Sequence, residues 1–313
     1  MPGPDASPPR QPGLKFGVSL PKSSDGPAFA ARAERLGFDF VACGEHLAFH
    51  GPTTNAFVSL AAAAGATTTI GLVSAITLVP LYPPALLAKL VATMDDVSGG
   101  RFVLGVGVGG EYPPEFAAVG VPLAERGRRT DEALEILRML LTEEEVSFDG
   151  DFTKFDSLTI RPRPKARPPV WMAGRRRAAM RRAVRFGDGW FPYLMDPARF
   201  AESVRTVEEL AAERGSEWIG TNGYFAFMST YPDGTLAREM VTRGVGGVYR
   251  QDFSPLTEKY LVAGTAPACR DRIAEYVDAG ATTFVLRLVG PREDLPQMLE
   301  TVASEVVGPL RDA

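Results

Sequence analysis

Short apolar runs and amphipathic segments alternate along this chain. Two apolar runs, residues 70–75 and 102–106, predict β-strands, and the segment between them, residues 84–97, predicts a helix. Its apolar residues recur at the spacing of one helix face: Leu86, Leu87, Leu90, Val91 and Met94. This strand–helix–strand unit predicts a β/α fold, in which ligands bind at the carboxyl ends of the strands.

The same alternation continues through the rest of the chain. Eight strands are predicted, at residues 14–20, 38–43, 70–75, 102–106, 170–173, 189–191, 223–228 and 282–288. Helices are predicted at residues 27–36, 55–64, 84–97, 123–141, 175–186, 197–214, 266–279 and from 292 onwards. Eight such units favour a (β/α)₈ TIM barrel. The alternative is a doubly wound open sheet, but the turn PKSSDG after the first strand lacks the usual run of glycines.

Two segments depart from the alternation. Residues 146–155 predict a hairpin around Asp149-Gly150, and the proline-rich residues 161–169 exclude a helix or a central strand. Together they predict an insertion over the mouth or the edge of the barrel. Residues 231–260, with the motif RGVGGVYRQDF, predict a mobile loop or lid.

Composition narrows the class of protein. The formal charge of −4 on 313 residues argues against a general nucleic-acid partner, and no apolar run approaches the ~20 residues that span a membrane. Two cysteines, Cys43 and Cys269, are too few for a disulfide framework, which fits a cytoplasmic protein. Residues 1–13 lack the apolar core of a signal peptide and predict a disordered tail, so residues 14–313 are expected to form a single domain.

Both histidines lie in the loop GEHLAFH, which follows the second predicted strand. They form no metal-ligand spacing with the cysteines, so no metal site is predicted, and no G-x-S-x-G nucleophile motif occurs. His46 is placed at the catalytic rim, where an imidazole can transfer protons near neutral pH. The alternative is a capped loop residue. His50 is a second candidate, and Glu45 is expected to be an outward or structural carboxylate.

Hydroxyl and glycine residues follow the third and fourth predicted strands. Thr77 offers a hydroxyl either to a ligand or to the backbone. The motif GVGVGG, with Gly107 and Gly109, lets the backbone approach a flat aromatic cofactor, and a flexible turn is the alternative. It is not a dinucleotide-binding fingerprint, because it follows the fourth strand and no helix begins at its last glycine. Glu111 and Glu115 come next, as candidate acid or base residues.

The fifth predicted strand ends in AGRRR, where a helix begins. Helix N-termini bind phosphate through free N–H groups and the positive end of the helix dipole. Gly174 permits close approach, and Arg175 and Arg176 add positive charge. We therefore expect an anion site here. The alternative is a solvated basic helix face.

Taken as a set, these motifs resemble the bacterial luciferase-like oxidoreductase superfamily. The matching segments are FGVSLP, LGFDFVACGEH, ATMDDVSGGRFVLGVGVGG, PPVWMAG, FGDGW and AGATTFVL, in family order. That superfamily includes flavin-dependent monooxygenases and enzymes that use the deazaflavin coenzyme F420. The resemblance implies a (β/α)₈ barrel with an insertion region, commonly dimeric, and a ring cofactor over the carboxyl ends of the strands.

The resemblance also assigns residues to the cofactor: Ser74, Ala75, Thr77, Gly107, Gly109, Ala173, Gly174, Arg175 and Arg176. It implies that the ring lies against a bulge after the third strand, where a non-proline cis peptide bond would fall at Ser74-Ala75. It places His46 beside the reactive ring. The chain departs from the family pattern at Ala42-Cys43 and at Gly110-Glu111, where many members carry tryptophan, and at the phosphate turn, which usually contains Gly-Gly and a Ser or Thr.

The leading hypothesis is a cytoplasmic homodimeric enzyme that transfers a hydride between coenzyme F420 and a small organic substrate. His46 would orient the substrate or exchange a proton, and Glu111 or Glu115 would be a second acid or base. The first alternative is an FMN-dependent monooxygenase that activates oxygen and needs a flavin reductase or NAD(P)H. Two others are a non-catalytic flavin-binding protein and a cofactor-independent lyase or isomerase using His46 and Glu111.

Overall fold

Eight parallel strands close into a barrel. The structure is a computed structural model that describes residues 13–21 and 24–312. The predicted disordered tail lies outside these residues apart from Gly13. The strands are β1 (Lys15–Ser19), β2 (Phe40–Cys43), β3 (Gly71–Ser74), β4 (Thr77–Leu78), β5 (Phe102–Gly107), β6 (Val146–Asp149), β7 (Lys154–Leu158), β8 (Val170–Met172), β9 (Gly189–Trp190), β10 (Thr221–Thr230), β11 (Val262–Gly264) and β12 (Thr283–Leu288).

The order around the barrel follows the chain. It runs β1, β2, β3, β5, β8, β9, β10, β12 and back to β1, and every one of these pairs is parallel. The short β11 adds to the carboxyl end of β10, beyond the point where β9 pairs with it. The predicted TIM barrel is therefore confirmed, and the open sheet is excluded because β9 and β10 complete the ring.

The third barrel strand is interrupted by a bulge. β3 pairs with the first residues of β5, and β4 then pairs with its last residues, Thr77 opposite Val106. The residues between β3 and β4 leave the sheet, and the peptide bond Ala75-Ile76 is cis. The position implied by the family resemblance, Ser74-Ala75, was wrong by one bond.

Helices surround the barrel between successive strands. They are α1 (Gly26–Arg35), α2 (Ala56–Gly65), α3 (Pro84–Ser98), α4 (Pro113–Ala118), α5 (Arg126–Thr142), α6 (Arg177–Phe186), α7 (Pro197–Ala212), α8 (Gly234–Tyr249), α9 (Thr257–Tyr260), α10 (Ala266–Asp278), α11 (Leu295–Thr301) and α12 (Gly308–Asp312). A π-helical segment, Val302–Val307, joins the last two.

The prediction of an irregular loop over residues 231–260 was wrong. Most of that segment is helical, as α8 and α9. Asp233 caps α8, because its carboxylate accepts hydrogen bonds from the N–H groups of Thr235 and Leu236. Packing explains one of its glycines, because a Cβ on Gly244 would lie 2.4 Å from a methyl group of Val289.

The insertion lies on the outer surface of the barrel. β6 and β7 form the predicted antiparallel hairpin, with Phe148 opposite Phe155. Its turn is held by α5, since the N–H of Phe152 donates to the Glu132 carboxylate. The proline-rich residues 161–169 contain no helix or strand, and the Lys89 ammonium of α3 donates to the carbonyl of Arg161. The insertion therefore packs against the helices at the edge of the barrel.

Apolar side chains fill the barrel interior and the space between strands and helices. The buried interior cluster consists of Ala42, Val73, Val103, Trp171, Phe191 and Val285. Along β12, Phe284 and Leu286 belong to the outer core, whereas Val285 belongs to the interior. Because side chains alternate along a strand, odd-numbered residues of β12 face the interior. The barrel is thus closed below by an apolar floor, and the candidate site lies above it.

Candidate functional site

A histidine and a buried carboxylate meet at the mouth of the barrel. His46 follows β2, and its Nδ1 lies 3.1 and 3.2 Å from the two carboxylate oxygens of Glu115 in α4. The Leu47 N–H donates to the same carboxylate at 3.1 Å. The Glu115 side chain is completely buried, whereas 22% of the His46 side chain is exposed. Since a carboxylate only accepts hydrogen bonds, Nδ1 carries a proton and Nε2 is left for other partners.

The neighbouring Glu45 has a structural role, as expected. Its buried carboxylate accepts hydrogen bonds from the N–H groups of Leu78 and Ala56, the amide of Asn55 and the hydroxyl of Tyr82. Burial raises the pKa of Glu45, and the hydrogen bonds oppose that change. These contacts tie the loop after β2 to β4 and to the start of α2. They fix the backbone that carries His46.

Three glycines make room for the bulge. A Cβ on Gly44 would lie 2.6 Å from the carbonyl oxygen of Ala75, and one on Gly105 would lie 1.9 Å from that of Ser74. A Cβ on Gly107 would lie 2.0 Å from Cδ1 of Ile76. Gly107 thus leaves room for the side chain of Ile76, and its predicted contact with a cofactor stays a prediction.

The bulge presents apolar groups to the mouth and keeps its polar groups inside. Ala75 and Ile76 are partly exposed, whereas Ser74 and Thr77 are fully buried. The Ser74 hydroxyl donates to the carbonyl of Gly105 at 2.9 Å, which fastens the bulge to β5. The Thr77 hydroxyl has no hydrogen-bond partner in the described part of the chain. Gly109 lies above the bulge in a left-handed turn, with φ +59°.

The end of β8 leads into a helix N-terminus without a side-chain cap. Ala173 and Gly174 are partly buried, and the Gly174 carbonyl accepts a hydrogen bond from Nε1 of Trp190. α6 begins directly after Arg176, whose side chain is exposed and does not cap the helix. The Arg175 guanidinium donates a hydrogen bond to the carbonyl of Leu194. At the predicted anion site, no side chain of the described residues caps the first N–H groups of α6, and Arg175 and Arg176 directly precede the helix.

The two candidate acidic residues have different partners. Glu115 contacts His46, whereas the exposed Glu111 accepts a hydrogen bond from the Tyr193 hydroxyl. Burial, followed by the neighbouring Tyr249 and Glu111, raises the pKa of Tyr193. The Arg175 guanidinium lies over the Tyr193 ring, 5.2 Å from its centre. Glu111 therefore belongs to a tyrosine–arginine cluster rather than to the histidine pair.

Aromatic rings line the mouth between these groups. Phe49 stacks on His46 with ring centres 4.2 Å apart, and it meets Tyr112 and Tyr249 edge-on at 5.8 and 6.2 Å. His50 packs against Phe49 and against Tyr112, at 4.8 and 5.1 Å. These contacts join the loop after β2, the loop after β5 and the end of α8. His50 is thus part of an aromatic wall.

One residue of the mouth was not predicted. Arg287 occupies an inward-facing position of β12, one step nearer the carboxyl end than Val285, and its guanidinium lies 5.6 Å from the centre of the Phe227 ring. The sequence contained a signal for this residue. Between Phe284 and Leu288 the strand is apolar except for one arginine, Arg287. Alternation from Val285 would have placed it in the mouth.

The described residues form neither a metal-binding cluster nor a membrane-spanning helix. In residues 13–21 and 24–312, no three His, Cys, Asp or Glu side chains gather as a metal site would require. None of the helices in the described part of the chain is long and apolar enough to span a membrane.

Similarity to known proteins places the chain in a family. The family model for luciferase-like monooxygenases matches residues 16–231. An uncharacterized protein of Mycobacterium tuberculosis is 35% identical over 164 residues, which are 52% of this chain and 56% of that protein. The FMNH(2)-dependent dimethylsulfone monooxygenase of Pseudomonas putida is 35% identical over 149 residues, 46% of this chain and 41% of that enzyme. The chain thus covers only about half the length of these relatives.

Other relatives match along the whole chain. The F420-dependent glucose-6-phosphate dehydrogenase of Amycolatopsis mediterranei is 27% identical over 336 aligned positions, 95% of this chain and 99% of that enzyme. A monooxygenase from Streptomyces bottropensis has the same fold, with TM-score 0.85 at 24% identity over 95% of this chain and 99% of its own. An F420-dependent secondary alcohol dehydrogenase gives TM-score 0.84 at 22% identity, over 96% and 99%. With a family model matched from β1 to the end of β10, this chain belongs to the luciferase-like monooxygenase family.

Proposed function

We propose that this protein is an oxidoreductase that binds coenzyme F420 at the barrel mouth and exchanges a hydride with a small organic substrate. The observation that carries the proposal is a juxtaposition at one end of the barrel. The His46–Glu115 pair, the apolar bulge and the uncapped N-terminus of α6 all follow carboxyl ends of barrel strands. That end is where β/α barrels build their active sites.

The residues of the mouth fit a ring cofactor with a phosphorylated chain. Ala75 and Ile76 offer partly exposed apolar surface for the ring. The first N–H groups of α6 would hold the phosphate, with Arg175 and Arg176 supplying positive charge. The Thr77 hydroxyl is an unpaired polar group beside the bulge, and it would become available if its neighbours shift when the ring binds. When bound, F420 supplies the hydride chemistry through its deazaflavin ring.

His46 would transfer the proton that accompanies the hydride. Glu115 holds Nδ1, so Nε2 is the ring atom that can exchange a proton with a substrate hydroxyl or carbonyl. The buried Glu115 carboxylate would fix the orientation of the ring and its tautomer. Glu115 is thus a positioning residue, and His46 is the proposed catalytic residue. Glu111, bonded to Tyr193, would act on the substrate side of the mouth.

F420 and FMN are the two candidate cofactors, and different relatives favour each. The relative named as F420-dependent matches this chain over 95% of its length. The relative named as FMNH(2)-dependent is more similar, at 35% identity, but over 46% of the chain. We favour F420, because the matched region then includes β10 to β12 as well as the first half of the barrel. The second candidate function is FMN-dependent monooxygenation, in which a flavin reductase would be a partner.

Absorbance titration with F420 and with FMN tests the proposal directly. We expect F420 to bind more tightly than FMN, because the relative named as F420-dependent matches nearly the whole chain. Turnover is then measured anaerobically with F420 and a panel of alcohols, and aerobically with reduced FMN. Oxygen consumption with reduced FMN and no F420 binding would support the second candidate. Binding of neither chromophore would overturn both candidates and leave the cofactor-independent lyase or isomerase. Binding without turnover would support the non-catalytic flavin-binding protein.

The proposed phosphate site has a matched control on the same helix. Arg175→Ala should weaken cofactor binding by about 10-fold, because it removes a charge beside the N-terminus of α6. Arg181→Ala removes an exposed charge one turn further along α6 and should leave the affinity unchanged. Equal losses in the two variants would show that the whole basic face, rather than the helix N-terminus, attracts the cofactor. The proposed homodimer is tested separately, by sedimentation of the full chain.

A further inference from the structure

Arg287 is a half-buried charge at the mouth that has no counter-charge among the described residues. In residues 13–21 and 24–312 it forms no ion pair and no hydrogen bond, and the groups that face it are the Phe227 ring, Tyr249 and Cys43. Burial lowers the pKa of its guanidinium, against the effect of Tyr249 and Cys43. A half-buried charge without a counter-charge is costly, so a fold keeps one only where something else requires it.

The surroundings of Arg287 indicate what would pair with it. A guanidinium presents five N–H donors in a plane and binds a carboxylate through two parallel hydrogen bonds. The Arg175 guanidinium also acts on Tyr249 but donates to the carbonyl of Leu194, so Arg287 offers the guanidinium without an acceptor in the described residues, which matches one negative charge. Phe227 and Tyr249, whose ring centres lie 6.2 Å apart, offer apolar surface beside the guanidinium.

Aromatic contacts link Arg287 to the proposed catalytic histidine. Tyr249 meets Phe49 edge-on at 6.2 Å, and Phe49 stacks on His46 at 4.2 Å. A small molecule anchored at Arg287 would therefore extend along this wall towards His46.

We propose that the substrate of this site is a carboxylic acid, held through its carboxylate by Arg287 with its apolar part against Phe227 and Tyr249. This inference rests on the proposed function, because it names the substrate class of the same site. It assigns Arg287 to binding and specificity, and it assigns the reacting end of the substrate to His46.

The first test compares ligands that differ only in charge. Benzoate and hexanoate are the probes, benzamide and hexanamide are their neutral counterparts, and binding to the full chain is followed by calorimetry. We expect each acid to bind about 10-fold or more tightly than its amide, as a charge-assisted bidentate contact gives. Arg287→Gln should reduce the affinity for the acid to that for the amide. Arg205→Gln, which removes an exposed charge from α7, should change neither. Equal binding of acid and amide to the wild-type chain would overturn the proposal.

A second measurement does not depend on the Gln variant. Arg287→Met removes the unpaired charge and keeps an apolar side chain against Phe227, so we expect its Tm to equal or exceed that of the wild type. Benzoate should raise the Tm of the wild type and not that of Arg287→Met. A large fall in Tm for Arg287→Met would show that the arginine is structural and would overturn the proposal.

These outcomes separate this inference from the proposed function. The ligands are tested first without cofactor and then with whichever of F420 or FMN binds. Acid binding without binding of either cofactor would contradict the oxidoreductase and leave the carboxylate site standing. Cofactor binding without a preference for acids, in either form of the protein, would overturn the carboxylate site alone.

Discussion

Arg101 and Arg287 are half-buried arginines at opposite ends of the barrel, and they differ in the number of hydrogen bonds that their guanidinium groups donate. Arg101 precedes β5 at the amino-terminal end, and its guanidinium donates five hydrogen bonds. Its acceptors are the carbonyls of Ala64, Thr67, Ile70 and Ser98 and the Thr67 hydroxyl. Arg287, near the carboxyl end of β12, has no acceptor in the described part of the chain. The comparison teaches that the buried guanidinium at the amino-terminal end stabilises the fold. At the carboxyl end, the proposed role of the buried guanidinium is to bind a ligand.

The largest expected effect comes from removing the satisfied charge. Arg101→Met would orphan several acceptors of the loop between α2 and β3, so we expect a loss of about 3 kcal/mol or more in the free energy of unfolding. Urea unfolding of the two matched variants, Arg101→Met and Arg287→Met, sharpens the comparison. If both variants lose stability to the same extent, the contrast between the two ends of the barrel fails.

The next effect is on turnover rather than stability. His46→Ala should lower kcat by at least ~100-fold, typical of losing a positioned acid or base, and leave cofactor affinity unchanged. His50→Ala is the control, because His50 packs in the aromatic wall and has no carboxylate partner in the described residues. Steady-state kinetics and a cofactor titration measure both quantities. Unchanged turnover in His46→Ala would remove this residue from the mechanism.

The bulge allows a test by compensation. Gly107→Ala would place a Cβ 2.0 Å from Cδ1 of Ile76, and such overpacking should destabilise the protein by about 1–3 kcal/mol. Ile76→Val removes that Cδ1 atom, so the double variant should recover most of the loss, with a coupling of about 1 kcal/mol or more. Urea midpoints of the wild type, both single variants and the double variant complete the cycle. Additive losses would show that the two side chains do not compete for one space.

The fold was largely predictable, because it rests on local periodicity. Alternating strands and amphipathic helices were readable wherever apolar residues kept their spacing, as in α3. The glycines of α8 misled the prediction, because glycine is unfavourable inside a helix and the contact that explains Gly244 is with Val289, far away in the sequence.

The site was less predictable than the fold, because it depends on contacts between loops. His46 and the anion turn were proposed from their positions after strands, and both stay predictions, whereas the pairing of His46 with Glu115 rather than Glu111 depends on the path of α4. Ser74 and Gly107 also pack the bulge, which the sequence did not show, and their assignment to the cofactor stays a prediction. Arg287 was missed because it lies within a strand rather than after one. The alternation of side chains along β12 would have placed it on the inward face.

The smallest effect concerns a satisfied carboxylate at the amino-terminal end. Partial burial raises the pKa of Glu34, but hydrogen bonds from the N–H groups of Thr69, Ile70 and Thr68 outweigh it and lower that pKa to about 2. A carboxyl group whose pKa is depressed by folding stabilises the protein above its unfolded pKa, near 4.5, and this contribution is lost as the pH falls towards 2.

Glu34→Gln should therefore destabilise the protein slightly, by about 1 kcal/mol at pH 7, a value typical of losing a capping group. The difference from wild type should shrink between pH 4.5 and 2. Arg35→Gln, next to it and exposed, is the control. A difference that does not change with pH would show that shape rather than charge holds this loop.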